Sequence, residues 1–174
     1  MNAAVDTSTP APQIAPTGDS VFFKLVRVVN LTARPFQQRV GRQHQLTLNE
    51  WRTMAVLGAR PGLTATQVAD LTGLDKMAVS RALAGLQRNK RLRRHEDPTD
   101  LRRSRLHLSS IGKALYAKVL VQAHEREAEL LAGLAADELQ QLDATLDKLI
   151  ASVTGSCSAG RTGFPLATVG ALHL

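Results

Sequence analysis

LTATQVADLTGLDKMAVSRALAGLQRNKRLRRHEDPTDLRRSRLHL, residues 63–108, is the stretch whose reading decides the fold. It opens on Thr64-Ala65-Thr66-Gln67, a capping box in which the threonine hydroxyl takes an early backbone N–H and the glutamine reaches back to the cap. The short helix that this starts is predicted to end near Thr72-Gly73. Asp75 can cap a second helix from Lys76 to about Asn89, with Val79, Leu83 and Leu86 on its buried side at helical spacing. Two short helices joined across Gly73 make a helix-turn-helix unit. Leu92 to His95 and Arg103 to Leu108 then flank an Asp/Pro-containing centre, which reads as a β-hairpin with a solvated tip, the wing. The order predicts a winged helix-turn-helix that binds duplex DNA.

Charge points the same way. Residues 76–105 hold ten Lys/Arg and three Asp/Glu, so the chain's whole formal charge of +7 arises there; the remainder has twelve of each. A cationic patch inside a foldable segment, rather than on a low-complexity tail, is the footprint of a polyanion binder.

Outward from this core, residues 1–19 carry three prolines and no apolar period, and are expected to be a disordered arm. Residues 20–46 are expected to be an N-terminal dimerisation helix region, capped by Asp19 or Ser20 and bent or broken at Pro35. Thr47-Leu48-Asn49-Glu50 is a second capping box and opens the DNA-binding domain, 47–109, with a helix stopped by Pro61-Gly62. Residues 110–153 should form two C-terminal dimerisation helices: a long one from Ser109 or Ser110 to about Leu134, and a last one from Asp137 to about Val153. In the last helix Leu139, Leu142, Leu146, Leu149 and Val153 recur at spacings of 3, 4, 3, 4, the seam of a helix packed on another helix, within the chain or across a dimer. The Gly/Ser-rich stretch 154–174 is expected to be a flexible tail. The fold class expected is mainly α with a small β-hairpin wing: a winged helix-turn-helix lobe plus a helical dimerisation region.

The 174 residues suit one domain with tails, and 44% hydrophobic residues with only 3% aromatics favour helices over a large sheet. No apolar run approaches the ~18–20 residues that span a bilayer, and Met1–Ser20 lacks a signal-peptide pattern, so a cytoplasmic location is expected. A single cysteine, Cys157, excludes an intrachain disulfide.

The segment from Leu46 to Leu115 resembles the MarR (multiple antibiotic resistance regulator) family of bacterial transcription factors. The matches are Leu46-Thr47 with Glu50-Trp51-Arg52, Leu63-Thr64 with Val68-Ala69, Leu74 to Arg81 in the recognition helix, Asp97-Pro98-Thr99-Asp100-Leu101-Arg102-Arg103 in the wing, and Leu106 to Ser109 followed by Gly112-Lys113. The resemblance implies a homodimer on a pseudo-palindromic operator, usually a repressor released by a small molecule. An activator or dual regulator without small-molecule control is the alternative.

The recognition helix should enter the major groove with its N-terminal half, which singles out Lys76, Met77, Ser80 and Arg81. Arg81 suits a bidentate contact to guanine. Thr64 and Thr66 can offer hydroxyls and free N–H groups to a phosphate, or serve only as caps. Arg93 and Arg94 are phosphate partners or strand-edge charges. By resemblance, Arg102 is the minor-groove arginine, Asp100 orients it, and Arg103 and Arg105 belong to the same motif. The family's ligand site lies between the dimer helices and the DNA lobe; Arg27, His44, Trp51 and Arg52 are the polar or aromatic residues there. Cation plus ring would suit an aromatic carboxylate, although Trp51 as core and the arginines as solvated or intersubunit charges give the same sequence.

Catalysis is disfavoured. GxSxG, a phosphate-cradling Gly loop, HExxH and CxxC are all missing, and the histidines at 44, 95, 107, 124 and 173 are scattered. His124, Glu125, Glu127 and Glu129 do not share one helix face, so no metal site and no cofactor are expected.

Overall fold

The computed structural model describes residues 20–96 and 103–157. The arm expected over 1–19, the wing tip from Asp97 to Arg102, and residues 158–174 lie outside them. The chain divides into a unit through Val121 and a second from Gln122.

In the first unit α1, Val21–Phe36, starts where the Ser20 hydroxyl accepts from the Phe23 N–H at 3.1 Å. The expected break at Pro35 is instead a change of pitch: the helix runs through Pro35 and becomes a π turn over Gln37–Gly41. Proline removes one N–H from the ladder, and a wider turn accommodates the mismatch. A short α2, Arg42–His44, ends at Gln45 in the left-handed region, φ 47°. In α3, Leu48–Ala59, both halves of the Thr47/Glu50 box are made: Thr47 N–H donates to Glu50 Oε2 at 2.7 Å and Glu50 N–H to Thr47 Oγ1 at 3.2 Å. The Thr64/Gln67 box likewise opens α4, Ala65–Thr72, and Gly73 at φ 67° closes it. Asp75 caps α5, Lys76–Arg88.

The end of α5 is a Schellman turn built without glycine. Lys90, at φ 57°, donates to Gln87 O at 3.0 Å, and Arg91 N–H to Leu86 O at 2.8 Å. The chain then enters β1, Leu92–Glu96, which pairs antiparallel with β2, Ser104–Leu108, Leu92 opposite Leu108 and Glu96 opposite Ser104. On the other edge of β2, Gly62 N–H donates to Leu106 O and Leu106 N–H to Leu63 O, both at 2.9 Å, so the turn before α4 is stitched to the wing. α6, Ser110–Leu131, leaves the hairpin with Ser109 as cap, its hydroxyl accepting from Gly112 N–H at 3.0 Å.

The core of this unit joins Met54 and Leu57 of α3, Val68 of α4, Val79, Leu83 and Leu86 of α5, Leu92, Leu106 and Leu108 of the hairpin, and Val119 of α6. Two glycines let backbones close. A Cβ at Gly85 would strike Glu50 Oε1, so α5 lies directly against the buried capping carboxylate of α3. A Cβ at Gly112 would strike the Arg91 carbonyl oxygen, which sets α6 against the base of the wing. In contrast, α1 has no buried residue; Phe22 is 76% exposed.

In the second unit α7, Ala136–Cys157, is opened by Ala135 N–H donating to Glu138 Oε2 at 2.8 Å. It continues beyond Val153 into the stretch expected to be tail. Within this stretch Thr154 returns its hydroxyl to Ile150 O at 2.8 Å. Leu139, Leu142, Leu146 and Leu149 are 36 to 43% exposed in the single chain. No helix among the described residues is long and apolar enough to cross a membrane.

Because Gly112 meets backbone that cannot swing aside, Gly112→Ala is expected to destabilise the protein by about 1–3 kcal/mol in urea unfolding. Gly133→Ala, at a glycine with nothing within 4 Å of its would-be Cβ, is expected to change stability by no more than about 0.5 kcal/mol.

Candidate nucleic-acid interface

The inner side of α5 is lined by Ala78, Val79, Ala82, Leu83, Gly85 and Leu86, all buried. Small residues among them let the helix seat closely and leave the opposite stripe clear. Lys76, Met77, Ser80, Arg81 and Arg88 are exposed on that stripe. Met77, at 65% exposure, is a large apolar side chain uncovered on an otherwise polar face, suited to a base-edge or thymine-methyl contact.

At the start of α4, Thr64 is half-buried and committed to its cap, its hydroxyl accepting from Gln67 N–H at 3.3 Å, while Thr66 is exposed. In the hairpin, strand alternation places Arg93, His95, Arg105 and His107 on one face and Leu92, Arg94, Leu106 and Leu108 on the other. Arg94 Nε donates to Gln87 Oε1 at 3.1 Å, tying the wing to the last turn of α5. Arg105 Nη1 donates to Gly62 O at 3.2 Å, and Arg103 is exposed. Asp100 and Arg102 lie outside the described residues.

Arg91 was counted with the other cations in the charge footprint, but its guanidinium is engaged inside the fold. Nη1 donates to Gln45 O at 2.9 Å and Nη2 to His44 O at 2.5 Å, capping the carbonyl end of α2. Nothing in the sequence separates this arginine from its neighbours, because its role depends on a partner 46 positions away. Glu50 was similarly read only as a cap, and its second role, as the surface on which Gly85 rests, was not visible.

The expected ligand residues are dispersed. Arg27 is exposed on α1, and Arg52 and His44 are half-buried. Trp51 stacks on Phe36 at 6.4 Å between centroids and on Tyr116 at 5.9 Å, so its ring joins the end of α1, α3 and α6. None of the four lines the cleft of about 310 Å³ bounded by Gln37, Gln38, Gly41, Arg42, Gln45, Leu46 and Thr47. Among the described residues there is no cluster of three metal-ligating side chains.

A feature that the sequence reading passed over lies on the hairpin. His95 and His107 meet edge to face, 5.0 Å between ring centroids. Burial first, then the neighbouring His95 and Lys113, hold His107 below the ordinary histidine value of 6.5.

A recognition helix with a free cationic stripe, braced by a basic wing, defines a winged helix-turn-helix DNA-binding protein. Residues 44–103 match the MarR family model. Over 119 residues the chain is 24% identical to the homoprotocatechuate degradative operon repressor of Escherichia coli, covering 68% of this chain and 80% of that protein. A MarR/EmrR family transcriptional regulator from Acinetobacter sp. ADP1 superposes with a TM-score of 0.74 at 26% identity, covering 81% of this chain and 99% of that one. The PcaV transcriptional regulator of Streptomyces coelicolor, in complex with its natural ligand, gives 0.66 at 25% identity, over 83% and 98%. Over residues 44–103 the chain is therefore similar to the MarR family of transcription regulators.

Since Arg91 is used internally and Arg81 is not, the two are expected to separate. Arg91→Ala should lower the urea midpoint by an amount corresponding to about 1–3 kcal/mol, while Arg81→Ala leaves it within about 0.5 kcal/mol.

Proposed function

We propose that the chain is a homodimeric repressor that binds a pseudo-palindromic operator through α5 and the wing and is released by a small aromatic carboxylate. The observation that carries the DNA reading is the exposed stripe Lys76, Met77, Ser80 and Arg81 at the N-terminal half of α5, the half that reaches base edges in this motif. Thr66, Arg93, Arg94 and Arg103, exposed around it, supply phosphate contacts. Arg102, with Asp100 to orient it, enters the minor groove. The α1 residues Phe22, Val26 and Val29 and the α7 seam are apolar and exposed in the single chain. A second copy covering these surfaces removes them from water, at about 25 cal/mol per Å².

For the effector, support comes from relatives: the E. coli protein represses an operon that degrades an aromatic acid, and PcaV binds a natural ligand. Arg27 and Arg52 supply guanidinium groups for a carboxylate, His44 a polar side chain, and Trp51 an aromatic surface.

DNA selected from a random pool is expected to show inverted half-sites read by recognition helices roughly 34–36 Å apart. On that duplex Arg81→Ala should weaken binding by about 1–3 kcal/mol and relax the preference at one base pair. Arg102→Ala binding equal to wild type would remove the wing from the reading. Sedimentation at micromolar concentration should give a dimer; a monomer would overturn the architecture. Benzoate-class acids should raise the melting temperature and release the duplex, and no response across a broad panel would reject that effector class.

A further inference from the structure

We infer that Arg91 is a positioning residue for DNA recognition: its clamp on the end of α2 sets the angle between the N-terminal helices and α5, and with it the half-site spacing that a dimer accepts. This rests on the reading of α1 as a surface for a second copy and of α5 as the base reader.

α1, the π turn and α2 form one rod from Val21 to His44. The junction residues Phe36, Gln37, Gly41 and Arg42 all keep right-handed helical backbone, so nothing interrupts it. No residue of α1 is buried, and Phe22, Val26 and Val29 are exposed along it. The rod enters the core only at its C-terminal end, through Val40, with Leu46 just beyond. A change of angle at that anchored end is therefore multiplied along its length. At a rise of about 1.5 Å per residue Phe22 stands roughly 30 Å from His44, so a tilt of about 10° would carry it about 5 Å.

Apolar contacts at Val40 and Leu46 and the Phe36–Trp51 stack hold the anchored end. Burial of this kind is non-directional and tolerates small rotations. The Arg91 bonds do not, because hydrogen bonds weaken steeply off axis and the guanidinium is a planar fork. That fork takes the carbonyls of two successive residues, Gln45 O at 2.9 Å and His44 O at 2.5 Å, at a helix end where carbonyls lack N–H partners of their own. The Arg91 main chain is fixed to the DNA-reading side: its N–H donates to Leu86 O at the end of α5, its carbonyl accepts from Ser109 N–H, and the adjoining Leu92 is buried in the first pair of the hairpin. One residue thus has its backbone in the reading lobe and its side chain on the rod. In a dimer whose rods are fixed to each other, the angle of lobe to rod decides how far apart the two α5 helices stand. Each base pair inserted between half-sites moves one of them about 3.4 Å along and roughly 35° around the duplex. A clamped lobe cannot follow that displacement; a released one can.

The test uses the full chain and the inverted half-sites selected from a random pool, in labelled duplexes with the parent spacer or one base pair more or fewer, read by anisotropy. On the altered spacers the wild-type Kd should rise about thirtyfold or more, and that of Arg91→Ala by less than about fivefold. Arg91→Lys, which keeps the charge but not the fork, should fall between them. Circular dichroism melts fix a temperature at which each variant is folded; should Arg91→Ala not fold, Arg91→Lys carries the comparison. Arg81→Ala is expected to do the opposite, losing base preference while keeping the full spacer penalty. On the parent spacer the salt slope of Arg91→Ala should equal that of wild type, since a lost phosphate contact would lower it by about one. Without any substitution, the Nη–H resonances of Arg91 should stay protected from exchange when the operator is added. A spacer penalty in the Arg91 variants equal to wild type, a salt slope lowered by about one, or loss of those resonances on DNA overturns this inference and leaves the dimeric DNA-binding reading intact. A wild type that selects no inverted half-sites, or ignores their spacing, overturns both.

Discussion

Four pieces of chain converge on the backbone and side chain of Arg91, and the lobe depends on that junction. Its N–H closes the last turn of α5 onto Leu86, while its carbonyl accepts from Ser109 N–H at 2.9 Å and abuts Gly112. Its guanidinium holds the carbonyls of His44 and Gln45. The preceding residue, Lys90, is held left-handed so that the turn is tight enough to place Arg91 there, and its carbonyl accepts the Ser109 hydroxyl at 2.7 Å. End of recognition helix, base of wing, start of α6 and end of α2 are thus set by one residue. A lost bond at this point would be felt in all four elements, since each buried polar group left unpaired is costly.

The interface inherits its geometry from that arrangement. α5 cannot rotate without driving Gly85 into Glu50, and the wing cannot swing freely, because it is hydrogen-bonded at Gly62 and Leu63 and linked to Gln87 through Arg94. The exposed stripe from Lys76 to Arg81 is therefore presented at a defined angle to the hairpin. Groups positioned by packed elements lose little freedom on binding, which is how short polar side chains become useful contacts.

The aromatic residues show a different economy. With so few rings in the chain, three of them are spent on one stack, Phe36, Trp51 and Tyr116, and Gly58 admits the Tyr116 ring to within 2.6 Å of where its Cβ would be. The stack fastens the end of α1 and the first turns of α6 to α3. An effector wall formed by Trp51 would have to share a ring already contacted on two sides.

Local chemistry was legible from the sequence. Both capping boxes, the Asp75 cap, the Gly73 stop, the hairpin and the charge concentrated in residues 76–105 could all be read there, because each depends on residues within a turn or two of one another or on composition alone. The exposed positions of α5 followed from periodicity for the same reason. Three things could not be read. Pro35 looked like a break, but the helix runs through it into a π turn; α7 looked finished at about Val153, but the helix runs on to Cys157. Above all, equal charges in the sequence became unequal in space: Arg91 turned inward to distant carbonyls, Arg105 bonded to Gly62, Arg81 stayed free on the α5 stripe, and two histidines twelve positions apart came into contact. The sequence determined which elements form and where positive charge is concentrated; only tertiary packing decided which of those charges remain available, because that depends on backbone groups far along the chain that no local pattern encodes.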